Sequence, residues 1–279
     1  MFNVHVLGCG TFRAPGPQIA GGEKATHVPW HIAIYENRQN TGITPICGAS
    51  LVSPRWAITA AHCFSYVQIR SPINPDRFQA AAAKYRSDWN FQESFAQRSK
   101  ILDIKIPQNY YGDWNKYQSD IALINVNFEL SEFVQPVCIR WDKSSAPSDV
   151  WVSGWSKNEL DESGKELQIM EAEVVNNTVV EDEGTKLLPY LGHGKFPARG
   201  KRGATTVEGD SGGGVVVRDG TTWTLVGVVS VGNPDTIVTN FSIFTSLGFE
   251  RSFVTSIIKA DLPCGCFTGL EKSLSGGPR

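Results

Sequence analysis

No run of apolar residues in this 279-residue chain approaches the roughly 20 needed to cross a bilayer, so no membrane-spanning helix is expected. Charge of one sign is also missing. The 26 Lys and Arg nearly balance the 28 Asp and Glu, for a formal net charge of -2. That gives no electrostatic case for nucleic acid as the main partner. No internal repeat stands out, which argues against a solenoid. The opening residues, Met1 to Leu7, include Asn3 and His5 and lack the apolar stretch of a secretory signal. No cysteine lies between positions 139 and 263. No metal or other cofactor is expected.

What is present reads as an all-β pattern. The length fits small β-barrels in series or one two-barrel unit, and either can bury a sizeable core. Residues 1–18, with Pro15-Gly16-Pro17, read as an exposed linker. Short apolar segments then alternate with turn residues. Trp30 to Tyr35 places Ile32 and Ile34 on one face, as a half-buried strand would. Leu51-Val52, Ile121 to Val126, Val215 to Val217 and Thr224 to Val231 are further strand candidates between Gly, Pro, Asn and Asp clusters. Only the end looks helical, where Phe249, Phe253, Val254, Ile257 and Ile258 recur at helical spacing. Residues 261–279, with Ser275-Gly276-Gly277-Pro278, look like a loose tail.

Three segments carry chemistry. His62 closes Thr59-Ala60-Ala61-His62-Cys63, Asp120 opens Asp120-Ile121-Ala122-Leu123, and Ser211 sits in Gly209-Asp210-Ser211-Gly212-Gly213-Gly214. Singly, His62 reads equally well as a core histidine and Asp120 as a strand-edge carboxylate. Together they resemble the chymotrypsin-type serine protease family, from about Cys9 to about Ala260. The resemblance implies two six-stranded antiparallel Greek-key barrels with a C-terminal helix and the active site between the barrels. Barrel one would span about 19–128, barrel two about 129–248 and the helix about 249–260. It implies Ser211 as nucleophile, His62 as the base that takes its proton, and Asp120 as the carboxylate that fixes the imidazole tautomer. The Gly209 and Ser211 N–H groups would form the oxyanion hole. Ser230 matches the serine that supports the aspartate, and Val231 and Gly232 would pair with substrate backbone.

The same resemblance pairs Cys47 with Cys63 and Cys9 with Cys138. Cys264 and Cys266 are left as a strained local pair or as thiols with partners outside this chain. Structural disulfides persist in oxidising compartments. The chain therefore reads as secreted and extracellular, as the C-terminal part of a longer protein or the product of an incomplete gene model. Ile19-Ala20-Gly21-Gly22 resembles the new N-terminus after zymogen cleavage, whose ammonium would bury against Asp210. The Asn176-Asn177-Thr178 sequon is an expected glycosylation site, at Asn176. The Asn240-Phe241-Ser242 sequon falls beside the pocket wall, where a glycan would collide with substrate, so Asn240 is expected to be unmodified.

The chain also departs from the family pattern. Gln18 stands where Arg or Lys usually precedes the cleavage point, and Thr205 stands at the pocket floor in place of Asp. With Thr206, Gly232 and Ser242 this implies an uncharged specificity pocket, since a basic side chain would enter unpaired. Val207 replaces a cysteine that normally braces the pocket. Lys195, Arg199, Lys201 and Arg202 read as a solvated basic loop. The triple glycine after Ser211 and the segment Val28 to Tyr35 are similar to arthropod modular serine proteases, initiators of extracellular immune cascades. The expected activity is a zymogen serine endopeptidase of non-basic specificity. Its expected partners are protein substrates such as downstream protease zymogens, and inhibitors of the serpin type. The alternative is a pseudoprotease that binds protein without cutting it.

Overall fold

The computed structural model describes residues 9–10, 28–38, 42–64, 73–142, 148–155, 166–183, 185–207, 209–232 and 240–258, and the backbone of 267–268. Gln18, Ile19, Cys264 and Cys266 lie outside the described residues. Strands β1 (His31–Arg38), β2 (Gly42–Ser53), β3 (Trp56–Thr59), β4 (Phe78–Ala82), β5 (Gln97–Lys100), β6 (Asp103–Lys105) and β7 (Ala122–Asn125) form one antiparallel sheet. Its order is β5-β4-β1-β2-β3-β7-β6. The two edges, β5 and β6, are halves of one extended stretch interrupted at Ile101-Leu102. The first half pairs with β4 and the second with β7, so this bend curls the sheet round on itself.

The second sheet holds β8 (Cys138–Arg140), β9 (Asp149–Gly154), β10 (Gln168–Val174), β11 (Lys195–Gly200), β12 (Gly214–Asp219), β13 (Thr222–Gly232) and β14 (Phe241–Ser246). Six of these close a ring in the order β12-β9-β10-β11-β14-β13, because β12 also pairs with β13. Register shifts at Val215/Val216 and Val229/Val231 supply the extra twist that closure needs. The β12–β13 hairpin turns on Gly220-Thr221, and Gly220 (φ +59°) provides the left-handed first position that a two-residue II′ turn requires. The expected architecture is thus borne out, with one closed barrel and one half-barrel.

Four local readings change. Ile32 and Ile34 are buried, but so are Ala33 and Tyr35, so β1 is covered on both faces. The outer face is closed by Trp89, whose ring meets Tyr35 edge-on at 4.9 Å. A six-residue helix, α1 (Asn177–Asp182), lies in a stretch that shows no helical period, and the terminal helix α2 (Leu247–Ile258) starts at Leu247 because that side chain is itself core. Within the expected loose tail, Phe267–Thr268 pair with Ile139 and Arg140 on the open edge of β8.

Each barrel has its own apolar filling. Leu51, Ile58, Phe78 and Leu123 lie in the first, and Val215, Val229, Ala172 and Phe244 in the second. Phe244 is fully buried and meets Phe196 edge-on at 5.4 Å. Phe244→Ala should therefore cost about 3–5 kcal/mol of folding free energy. Trp114→Ala, at a side chain 92% exposed, should change it by less than about 0.5 kcal/mol. Urea unfolding of the two variants checks the contrast.

Candidate active site

His62 occupies a single 3-10 turn, Ala61–Cys63, directly after β3. The turn is pinned from below, since Cys63 is joined to Cys47 in β2. Thr59 Oγ1 adds a 2.7 Å bond to the Gly48 carbonyl. Cys47, Cys63 and His62 have the atom types of a metal site, but both sulfurs are committed to the disulfide. The second expected bridge, Cys9 to Cys138, is also formed.

Asp120 is delivered by a tight loop. Lys116, Tyr117 and Ser119 all hold left-handed φ values of +54°, +56° and +54°. This conformation costs a non-glycine residue roughly 1–2 kcal/mol. Surrounding bonds hold it. Tyr117 N donates to Gly112 O at 2.9 Å and Asn109 Nδ2 to Ser119 Oγ at 2.9 Å, while the Gln118 amide donates to the His193 carbonyl. The strain places the Tyr117 ring edge-on to His62 at 5.9 Å and the carboxylate beneath the imidazole.

The Asp120 side chain has no solvent exposure. Its Oδ1 accepts from His62 N at 2.9 Å, and its Oδ2 meets His62 Nδ1 at 2.8 Å and accepts from Ser230 Oγ at 2.5 Å. A carboxylate that already accepts two other bonds has no proton to give, so Nδ1 carries the hydrogen, and in the neutral ring Nε2 is the nitrogen that holds a lone pair. Burial alone would raise the Asp120 carboxyl. The charge and hydrogen bond of His62, then the charge of Lys195 and the Ser230 bond, outweigh it and hold the group below the usual carboxylate range.

Ser211 is tied to the same framework through its backbone. Its carbonyl accepts from Gly48 N at 2.8 Å, next to the Cys47–Cys63 bridge. Among the described residues, the Ser211 hydroxyl makes no hydrogen bond to the His62 ring, a contact that commonly tightens only when substrate binds. Gly209 (φ +103°) would accept a Cβ without collision, so its backbone angle alone requires glycine. Gly212 has no such room. A Cβ there would lie 2.2 Å from Thr59 Oγ1 and 2.5 Å from Gly48 O.

These motifs match the trypsin family over residues 19–248. The chain belongs to the trypsin family. Among its relatives, the modular serine protease of Drosophila melanogaster is 30% identical over 217 residues, covering 74% of this chain and 33% of that protein. Limulus clotting factor C of Carcinoscorpius rotundicauda is 32% identical over 203 residues, 67% of this chain and 20% of its own length. Mannan-binding lectin serine protease 1 of Mus musculus is 30% identical over 204 residues, 67% of this chain and 28% of its own. The chain thus matches a fifth to a third of the length of these relatives.

In this trypsin-family domain the residues expected to line the specificity pocket fall into two groups. Thr206 Oγ1 donates to or accepts from Ser242 Oγ at 2.7 Å, and Thr206 N donates to the same oxygen at 3.3 Å. Gly232 lies against them, since a Cβ there would come within 2.7 Å of Thr206 O. Thr205 stands apart, half-buried, with only a 3.5 Å contact to Thr206 O. Val231 and Gly232 form the half-buried end of β13. Asp210 is buried; its Oδ2 accepts from Val207 N at 3.0 Å and its Oδ1 lies over Gly154, where a Cβ would sit 2.1 Å away.

The expected basic loop is not one. Lys195 to Gly200 form β11, the guanidinium of Arg199 pairs with Glu183, and Lys201 bridges Asp149 and Glu171 at 2.7 Å each. Lys195 is turned inward, its ammonium 2.6 Å from Ser230 Oγ and 2.8 Å from Thr245 Oγ1. Four basic residues close in sequence look alike, and only the pairing of Lys195 with Thr245 across β11–β14 separates the one that is enclosed. No sequence motif marks Tyr117 or Thr245 either. Asn176 is exposed ahead of α1, whereas the Asn240 amide donates to the Gly200 carbonyl.

Two glycines separate backbone strain from crowding. Gly220→Ala, with φ +59° and nothing near, should cost about 1 kcal/mol. Gly212→Ala, with φ +75° and two oxygens in the way, should cost at least about 2 kcal/mol. Denaturant midpoints of the two variants provide the measurement.

Proposed function

We propose that the protein is a serine endopeptidase that hydrolyses protein substrates through an acyl-enzyme. The observation that carries this reading is the buried Asp120 carboxylate bonded at once to the His62 ring and to Ser230, in a trypsin-family chain that keeps Ser211. Ser211 Oγ would attack the scissile carbonyl as His62 Nε2 takes its proton. The imidazolium so formed would be stabilised by Asp120 and would return the proton to the leaving amine. The Gly209 and Ser211 N–H groups would receive the developing oxyanion, where one donor typically contributes about 2.7–4 kcal/mol. On this reading the protease domain spans 19–260.

The finer parts of the proposal rest on residues. The pocket would be uncharged, because Thr205, Thr206, Ser242 and Gly232 offer hydroxyls and backbone where a basic side chain would need a carboxylate. Activation would follow cleavage between Gln18 and Ile19, with the freed Ile19 ammonium joining Asp210. Gln18 would suit the protein's own pocket better than that of a trypsin-like activator, so one molecule would activate another. The names of the relatives, two of them clotting and lectin-linked proteases, support a secreted role in an extracellular cascade. There the substrates would be downstream zymogens and the inhibitors of serpin type. Asn176, exposed ahead of α1, would carry a glycan.

A pseudoprotease reading has missing braces behind it: Val207 stands where a bracing cysteine would be, and no cysteine lies from 139 to 263. In this chain the segment is held otherwise, by the Val207–Asp210 bonds and by Thr206 on Ser242.

After cleavage at Gln18-Ile19, a fluorophosphonate probe should label the wild type and fail to label Ser211→Ala, His62→Ala and Asp120→Asn. Equal, slow hydrolysis of a peptide library by wild type and Ser211→Ala would overturn the enzyme reading. Mass spectrometry of the concentrated zymogen should show cleavage at 18–19 in wild type and none in Ser211→Ala. Equal cleavage in both would assign activation to another protease.

A further inference from the structure

Lys195 lies outside the group of residues that would touch substrate, yet it is wired to it. Its ammonium reaches Ser230 Oγ at 2.6 Å and Thr245 Oγ1 at 2.8 Å. Ser230 Oγ reaches Asp120 Oδ2 at 2.5 Å, and Thr245 Oγ1 reaches the Asp120 backbone carbonyl at 3.0 Å. An ammonium has three donors and no lone pair. Both hydroxyls must therefore accept from Lys195, and each is left with its single hydrogen for Asp120. The bulge in β13 makes this reach possible. Val229 pairs with Phe244 and Val231 with Ile243, so Ser230 drops out of the ladder and its side chain is re-aimed toward the carboxylate.

From this chain of bonds we infer that Lys195 is a positioning residue, which dictates the direction of the Ser230 and Thr245 hydrogen bonds and so orients Asp120 under His62. The inference rests on the protease reading for its effect on rate, but not for its effect on the Asp120–His62 bond. The consequence is a coupling to pH. Burial lowers the lysine to about 8, against the opposing pull of Asp120 and Glu250. Those two carboxylates, from the loop before β7 and from α2, are the charged groups that act on it; Ser230 on β13 and Thr245 on β14 are its neutral partners. Below about pH 8 the ammonium fixes both hydroxyls. Above it the neutral amine has a lone pair, and the Ser230 hydrogen can turn away from Asp120 toward it. The charge that helps hold the Asp120 carboxyl low disappears at the same point.

The test uses the full chain, uncleaved and cleaved, as wild type, Lys195→Met and Lys195→Arg. Methionine has nearly the same length and removes charge and donors together, while arginine keeps the charge in a different shape. The low-field proton resonance of His62 Nδ1 should shift through a midpoint near pH 8 in wild type and stay flat across that range in Lys195→Met. In the cleaved proteins kcat/KM should fall about tenfold in Lys195→Met and less in Lys195→Arg. The loss should be non-additive with Ser230→Ala in a double-mutant cycle. An identical resonance profile in wild type and Lys195→Met would overturn the assignment whatever the cleaved protein does to peptides. A difference in profile, with a wild type that hydrolyses nothing, would uphold Lys195 and overturn the protease reading.

Discussion

A carboxylate with no solvent exposure sits where the two barrels meet, and much of the molecule is arranged to keep it charged. Removing an ion of this kind from water costs several kcal/mol even after the protein relaxes. Asp120 recovers that cost from both sides. The first barrel supplies the His62 ring and its backbone N–H. The second supplies the Ser230 hydroxyl to the carboxylate, and the Thr245 hydroxyl to the carbonyl of the same residue. The bonds that keep the charge tolerable are thus also bonds between barrels. An arrangement of this kind punishes the loss of one partner more than its presence stabilises the fold, because the carboxylate would stay buried with its charge uncompensated.

The segment around the serine faces the opposite problem, close approach of backbone to backbone. Ser211 O lies on Gly48 N, Gly212 N on Val229 O and Gly213 N on Asp210 O, all at 2.8–3.0 Å. Ser211 is therefore fixed by the main chain on either side of it, while its hydroxyl remains uncommitted to His62. Rigidity here comes from contacts that only glycine permits, and freedom is kept at the one oxygen that would have to move.

Much of this site was legible in the sequence because its determinants are local. His62 is followed at once by the cysteine that pins it, Asp120 opens an apolar strand, and Ser211 sits among glycines that backbone angle or close contact requires. The strands around Leu51, Ile121, Val215 and Thr224 were legible for the same reason. What escaped was set by register between distant strands. Nothing near Lys195 distinguishes it from Arg199 or Lys201; its enclosure depends on Thr245 lying opposite and on a bulge at Ser230. Alternation likewise suggested one buried face for β1, because the cover on the other face comes from Trp89, far along the chain. The helix α1 is short enough that packing decides it, through Val180 in a small cluster with Leu187, Phe241 and Ile243.

Covalent bracing and hydrogen bonding can do the same work in such a pocket, with different consequences. Where Val207 replaces a cysteine, the wall is held by Val207 N on the Asp210 carboxylate and by Thr206 on Ser242. A disulfide constrains the unfolded chain and would be indifferent to the state of Asp210. A hydrogen bond to the Asp210 carboxylate is not indifferent, since it changes when that carboxylate gains or loses a cation. In this chain the pocket wall and the proposed activation switch therefore share one charged group. On the proposed activation, pairing of Asp210 with a cation would act directly on the hydrogen bond that holds Val207.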